Sequence, residues 1–256
     1  MKAILEFTDV CLNYHTKFEE TKAVKNVSFK IYDGEFVSFV GPSGCGKTTI
    51  LSLISGLLKP TFGKVIIDEK EVLKPSSDIG YMLQKDHLFE WRTIFNNVVL
   101  GLEVKKNKTP ENLEYAISLL KKYGLYEFKN YYPSQLSGGM RQRAALIRTL
   151  VLNPKILLLD EPFASLDYQT RLNACNDVHK IIKSEKKTAV FVTHDISEAI
   201  SLSDRIIVLT CRPCEIKNVH TVNMPEYLSP LQRREHKGFS IIFEKIWSEL
   251  TNEKQE

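Results

Sequence analysis

The stretch Gly41-Pro42-Ser43-Gly44-Cys45-Gly46-Lys47-Thr48-Thr49 follows the apolar run Glu35 to Val40 and precedes the helix-like Ile50 to Leu58, so it reads as strand, phosphate-binding loop and helix. Its glycines let successive backbone N–H groups turn inward around an anion, Lys47 reaches toward the outer phosphates, and Thr48 offers its hydroxyl to Mg²⁺. The positive end of the following helix adds to the same attraction. A glycine-rich turn that matches by accident is the alternative, and a complete pattern in strand-to-helix context disfavours it. The implied central ligand is a nucleoside triphosphate.

Length and composition leave room for that ligand's fold. A chain of 256 residues, 43% hydrophobic, forms one large domain or two small ones around a sizeable core. Its net charge of +4 is small beside 35 basic and 31 acidic residues, so the balance does not argue for a nucleic-acid partner. The cysteines stand scattered at 11, 45, 175, 211 and 214, which is no disulfide framework and points to a reducing compartment. Met1 to Val10 carries Glu6 and Asp9 where a signal peptide needs an unbroken apolar segment. No uncharged apolar run approaches the ~20 residues of a membrane-spanning helix, so any membrane association is expected through a partner.

Along the chain, Ile4 to Leu12 and Ala23 to Ile31 predict two strands joined by a polar loop from Asn13 to Lys22. Tyr14 just after the first is, from the sequence alone, a strand-end aromatic sooner than a base-stacking ring. Leu57 to Gly63 stops the first helix, Lys64 to Asp68 is a short strand, and Asp78 to Leu83 is another, ending at Gln84. Leu88, Phe89, Trp91, Ile94 and Phe95 are core by default, although a subset of such residues can line a docking groove. Thr109-Pro110 is a helix start and Gly124 its stop, and a second helix runs from about Gly138 to Leu152, so Lys85 to Leu152 is a helical insert without strands. Ile156 to Asp160, apolar on both faces, belongs in a covered parallel sheet. A helix from Asp167 to Ser184, strand Thr188 to Val192, helix Ile196 to Leu202 and strand Arg205 to Leu209 continue the βα alternation. Leu231 to Leu250 is an amphipathic helix ahead of a frayed Thr251 to Glu256.

Asp160-Glu161, at the end of a buried strand, divides the work of metal and water: Asp160 holds Mg²⁺ directly or through water, and Glu161 orients or deprotonates the attacking water. A solvated strand-end acid pair is the plain reading, and the phosphate loop weighs against it. His194 follows the strand Ala189 to Thr193, at the edge where an open parallel sheet binds ligands, although a lone histidine is more often structural. Ser137-Gly138-Gly139 opens a helix and makes a second anion site with its amides. One phosphate loop and a second anion site imply that each site is completed by another copy of the chain. Cys211-Arg212-Pro213-Cys214, with His220 close behind, fits a C-x-x-C redox or zinc pattern, but no second pair follows and no helix begins there, so two incidental thiols in a turn is the better reading.

The phosphate loop, Gln84, Leu136 to Arg143, Leu157 to Glu161, Ser165-Leu166-Asp167 and His194, in this order, resemble the ATP-binding cassette ATPases over nearly the whole chain. Other phosphate-loop enzymes lack the Leu-Ser-Gly-Gly element. The resemblance implies an α/β fold, a P-loop NTPase core of ABC type with an antiparallel β subdomain and a helical subdomain. It implies a single domain over 1–256, with a core over about 1–84 and 153–230, a helical subdomain over about 85–152 and a C-terminal helix over about 231–250. It also implies ATP and Mg²⁺ as ligands and a head-to-tail homodimer when ATP is bound. In that pattern Tyr14 stacks on adenine, Gly41 to Thr49 cradle the phosphates, and Ser137 to Gly139 with Asp167 reach the nucleotide of the other subunit. Gln84 links metal and water to the docking groove, Glu161 is the base, and His194 senses the γ-phosphate. Mg²⁺ falls to Thr48, Gln84 and Asp160.

Within the family, Leu88 to Trp91, Gly139 to Ala144 and Val208 to Pro213 are similar to ATPases of nitrate, sulfonate and taurine importers. Glu90 departs from a usual proline, and Cys214 from a usual glycine. The resemblance implies an importer ATPase subunit for a small solute, peripheral to the cytoplasmic face of the cell membrane. Its partners are an integral-membrane permease and, indirectly, an extracytoplasmic solute-binding protein; no nucleic acid is expected. An exporter subunit, a soluble cassette acting on nucleic acid or ribosomes, and a phosphate-loop kinase are the alternatives.

Overall fold

The computed structural model describes residues 2–15 and 20–251. They fall into two compact units, Met1–Ser76 with Lys186–Glu256, and Ser77–Glu185.

The first unit begins with β1 (Ala3–His15) and β2 (Glu20–Tyr32), followed by β3 (Phe36–Val40), α1 (Lys47–Ile54), β4 (Phe62–Ile67) and β5 (Lys70–Glu71). An antiparallel sheet runs β2-β1-β4-β5. Its first two strands are longer than their apolar stretches, because the ladder continues through Asn13↔Lys22, Tyr14↔Thr21 and His15↔Glu20. The polar loop predicted from Asn13 to Lys22 is therefore shortened at both ends, and the Asn13 amide donates to Glu20 at 2.6 Å. Residues 16–19, and 252–256 of the frayed tail predicted from Thr251, lie outside the described residues. Helix α1 starts and stops earlier than its apolar run, since Gly46 opens it and Gly56, at φ 74°, ends it. A side chain at Gly56 would also meet the Lys74 backbone at 2.6 Å.

The second unit contains β6 (Ile79–Met82), α2 (Ile94–Val98), α3 (Leu100–Val104), α4 (Pro110–Lys122), α5 (Gly138–Leu150), β7 (Ile156–Asp160) and α6 (Tyr168–Ser184). No strand is described between 85 and 152. Thr109 caps α4 as its sequence predicts, accepting from Asn112 N at 3.3 Å, and Gly124 closes it at φ 71°. Strands β6 and β7 pair in parallel, with Met82 opposite Leu159, and β7 is buried along its whole length. Helix α5 packs on β6, α2, α4 and α6, so it is the spine of this unit.

The chain then returns to the first unit with β8 (Thr188–Val192), α7 (Ile196–Leu202), β9 (Arg205–Leu209), β10 (Ile216–Thr221), α8 (Pro230–Glu235) and α9 (Lys237–Thr251). Here β3 pairs in parallel with both β8 and β9, while β10 pairs antiparallel with β9. Strand β10, which the sequence reading does not contain, is an edge strand of largely exposed polar residues held by its ladder. The single helix predicted from Leu231 to Leu250 is two, because His236 is extended at φ −74°, ψ 137°. Ser229 and Gln232 form a capping box on α8. On α9, Ile246 is buried against Ile200, Ile206 and Val208, which fastens the helix to α7 and β9.

Candidate functional site

In the first unit, the phosphate loop leaves the carboxyl end of β3. Phe39 pairs with Val192 of the parallel strand β8, so two residues further on Gly41 and His194 emerge at the same sheet edge. This is where an open parallel sheet places a ligand. Gly41 is compelled by space, since a Cβ there would meet Cys45 Sγ at 2.9 Å and Leu209 at 3.2 Å. Gly46 stands at φ 121°, conformationally closed to other residues, and a Cβ would lie 3.0 Å from Cys214 Cβ.

Lys47 is buried to 6% exposure, and its ammonium donates to the carbonyls of Gly41 and Pro42 at 2.8 Å each. It also approaches Cys45 Sγ at 3.8 Å. Ser43, Gly44 and Thr48 are exposed along the loop, and Pro42, Gly46 and Thr49 are half-buried. These features fit a phosphate chain: a centred cation, glycines that bring backbone N–H groups close, and an accessible hydroxyl.

His194 is exposed between β8 and α7, and both its neighbours are held. Thr193 donates to Glu198 at 2.6 Å, and Asp195 caps α7 by accepting from Ser197 N at 2.7 Å and Glu198 N at 3.3 Å. Tyr14 is also exposed, on β1 opposite Thr21. Two residues beyond Thr21, the Ala23 carbonyl lies 3.4 Å from the Cβ position of Gly46, so the ring belongs to the strand end that flanks the loop.

The turn between β9 and β10, which carries Cys211 and Cys214, packs against the phosphate loop. Cys214 donates its N–H to Ala23 O at 2.9 Å and accepts from Lys25 N at 2.9 Å, which seats it beneath Gly46. Arg212 donates to the Gly44 carbonyl at 3.4 Å. Burial pushes the Cys214 thiol up to about 12 and raises that of Cys45, the latter opposed by the nearby Lys47.

In the second unit, Gln84 and Glu161 each follow a paired residue of the β6–β7 ladder by two positions, so they emerge at the same edge. Asp160, 8% exposed, accepts from the Tyr81 hydroxyl at 3.4 Å. Glu161 adopts φ 43°, a left-handed backbone that a non-glycine residue holds at a cost. Within this unit Gln84 and Asp160 offer amide and carboxylate oxygens, hard donors of the kind that suit Mg²⁺.

The amino ends of α5 and α6 lie side by side. A Cβ on Gly138 would meet Leu166 at 2.7 Å, and one on Gly139 would touch Thr170 at 3.6 Å. Ser137 caps α5 by accepting from Met140 N at 3.3 Å, and Asp167 caps α6 by accepting from Thr170 N at 3.0 Å. The Thr170 bonds hold the Asp167 carboxyl below its ordinary value. Ser137 and Asp167 are both exposed, so two helix amino ends and their caps form one polar surface.

Beyond Gln84, the chain makes an aromatic turn that the sequence left between core and groove. Leu88 and Ile94 are core, whereas Phe89 and Trp91 are exposed and stack at 4.8 Å between centroids. Asn97, fully buried, holds the turn: it accepts from Phe89 N at 2.7 Å and donates toward the carbonyls of Phe89, Arg92 and Thr93 at 3.0–3.1 Å. A polar residue in a short helical segment gave no sequence signal for this.

The sequence model of the family described as ABC transporter matches residues 24–164. The chain is 47% identical over 249 residues to the uncharacterized ABC transporter ATP-binding protein YtlC of Bacillus subtilis, covering 94% of this chain and 95% of that one. It is 38% identical over 213 residues to the aliphatic sulfonates import ATP-binding protein SsuB of Bacillus cereus, covering 83% of this chain and 84% of that one. Among solved structures it resembles the dimeric post-hydrolysis state of the ATP-binding cassette MJ0796 bound to ADP and Pi. That similarity has a TM-score of 0.71 at 35% identity, over 86% of this chain and all of the other.

Proposed function

The chain belongs to the ABC transporter family as an ATP-hydrolysing cassette, and we propose that it powers an importer of a small solute, of the nitrate, sulfonate or taurine type or a related heterocyclic compound. The observation that carries the importer reading is the 38% identity to SsuB, which extends over 83% of the chain. Among the described residues no helix is long and apolar enough to cross a membrane; in this reading a separate permease carries the solute across. The exposed Phe89–Trp91 stack is the surface offered to that permease on the cytoplasmic side, and an extracytoplasmic binding protein delivers the solute. Residues 85–152 serve as the helical subdomain in this reading.

Each residue has a chemical task. Tyr14 stacks on adenine, the loop amides from Gly41 to Thr49 bind phosphate oxygens, and Lys47 transfers its ammonium from the loop carbonyls to the outer phosphates. Mg²⁺, when bound, would supply charge neutralisation at the phosphates, and Thr48, Asp160 and Gln84 would hold it. Glu161 orients and deprotonates the attacking water, and His194 bonds the γ-phosphate. Ser137, Gly138, Gly139 and Asp167 meet the nucleotide of a second copy of the chain.

Affinity purification from detergent-solubilised membranes, with mass spectrometry of the companions, tests the proposal. A polytopic permease in near-equal amount is expected, and uptake of sulfonates, nitrate or heterocyclic vitamin precursors by vesicles holding the complex identifies the solute. Recovery only with ribosomes or DNA refutes the transporter role.

A further inference from the structure

Between Gln84 and the aromatic turn lies a cluster of charged residues that the proposed mechanism leaves without a task. Arg148, on the last turns of α5, donates from Nη1 to the His87 carbonyl and from Nη2 to the Asp86 carbonyl, at 2.6 Å each. Arg141, two turns earlier on the same helix, pairs with the Asp86 carboxylate at 3.2 Å, although its Nε–H is not aimed along the contact. The other Asp86 oxygen accepts from Leu88 N at 3.1 Å. His87 itself is left-handed at φ 45°, so the segment does not follow a relaxed path by its own preference.

The Arg148 guanidinium is half-buried, and burial presses its pKa down while Asp86 opposes the shift. A planar fork with parallel donors can bind two successive carbonyls at once, which a lysine ammonium does only singly. The other end of α5 carries Ser137 and Gly138, the latter in contact with Leu166 beside Asp167. A helix of this length is a stiff rod of about 20 Å. Asp86 is two residues from Gln84 and three from Phe89.

We infer that Arg148, assisted by Arg141 through Asp86, is a positioning residue that fixes Gln84 and makes the Gln84 segment move as one body with α5 and its Ser137–Gly139 terminus. The inference rests on the proposed role of Gln84. Partner contacts at Phe89 and Trp91 then act on Gln84 and on the second-copy nucleotide surface through one helix. Arg148 is engaged with the His87 and Asp86 carbonyls and is not among the residues assigned to ATP, so its loss should affect turnover and spare nucleotide affinity.

The test measures phosphate release by the purified full-length chain against ATP concentration, for the native protein, Gln84→Ala, Arg148→Ala, Arg148→Lys and the double variant Gln84→Ala/Arg148→Ala. Arg148→Ala should lower kcat on the order of tenfold with KM for ATP within about twofold of native, and Arg148→Lys should lie between. The double variant should turn over no more slowly than Gln84→Ala alone, because Arg148 acts through Gln84. If Arg148→Ala does not fold, the lysine variant carries the comparison by the same split between kcat and KM. Native kcat in the arginine variants, a parallel rise in KM, or a double variant as slow as the product of the single effects overturns the inference. Full activity of Gln84→Ala overturns instead the role of Gln84 on which it stands.

Discussion

Replacing Asn97 by alanine should loosen the surface offered to a partner and destabilise the second unit together. The side chain is 0% exposed and holds four groups of one turn, at distances of 2.7 Å to Phe89 N, 3.1 Å to Phe89 O, 3.0 Å to Arg92 O and 3.1 Å to Thr93 O. Two amide hydrogens serve three carbonyls, so the site amounts to three bonds' worth of interaction. At roughly 1 kcal/mol net for each, with buried partners left unsatisfied, the loss is about 3 kcal/mol. For a chain of this size that corresponds to a melting midpoint lower by roughly 6–12 °C. Asn97→Asp keeps the acceptor for Phe89 N but turns an oxygen toward three carbonyls, so it should be at least as damaging despite its equal volume. Asn96→Ala, at an exposed neighbour, should stay within about 0.5 kcal/mol of native. Urea titration with thermal melts reads all three, and an Asn97→Ala loss under about 1 kcal/mol refutes the hydrogen-bond accounting.

Glu161→Gln should bind ATP and hydrolyse it more slowly by a factor on the order of 10² or more, and near-normal turnover removes Glu161 from the role of base. Gly46→Ala should weaken ATP binding by at least about tenfold, as read by equilibrium dialysis, because φ 121° and the 3.0 Å approach to Cys214 leave no place for a methyl group; unchanged affinity would falsify the strained-loop argument. The Cys214 thiol keeps its proton in the folded chain up to about 12 against an ordinary 9.0. Its burial therefore favours folding fully below pH 9.0, and that contribution fades as pH rises toward about 12, with a slope near 1.4 kcal/mol per unit. Native protein should lose stability over that window more steeply than Cys214→Ala, and equal slopes refute the shift.

Strands β8 and β9 and helix α7 are readable to the residue because short, doubly buried apolar runs end at polar turns. The phosphate loop and Ser137 are equally legible, since their chemistry is local: glycines, a cap and a following helix. Strand β10 is not, because Ile216 to Thr221 reads as polar coil until Leu209 to Arg205 supplies the ladder. The division between α8 and α9 at His236 has no proline to announce it. The apolar run to Leu58 outlasts helix α1, because the left-handed backbone of Gly56 and its approach to Lys74 end the helix. Arg148 and Asn97 were invisible for another reason. Arg148 meets residues 61 and 62 positions away, and no periodicity encodes such a meeting.

The ammonium of Lys47, resting on the Gly41 and Pro42 carbonyls, bears on the thermodynamics of the first encounter with nucleotide. A free lysine loses up to about 2 kcal/mol of rotamer entropy when it is fixed. Here the side chain is already threaded through the centre of its loop and buried. Much of that ordering is settled when the chain folds, so binding exchanges one set of oxygens for another around a cation that stays nearly still. The loop is preorganised, and its affinity for phosphate is drawn from folding stability as much as from contact.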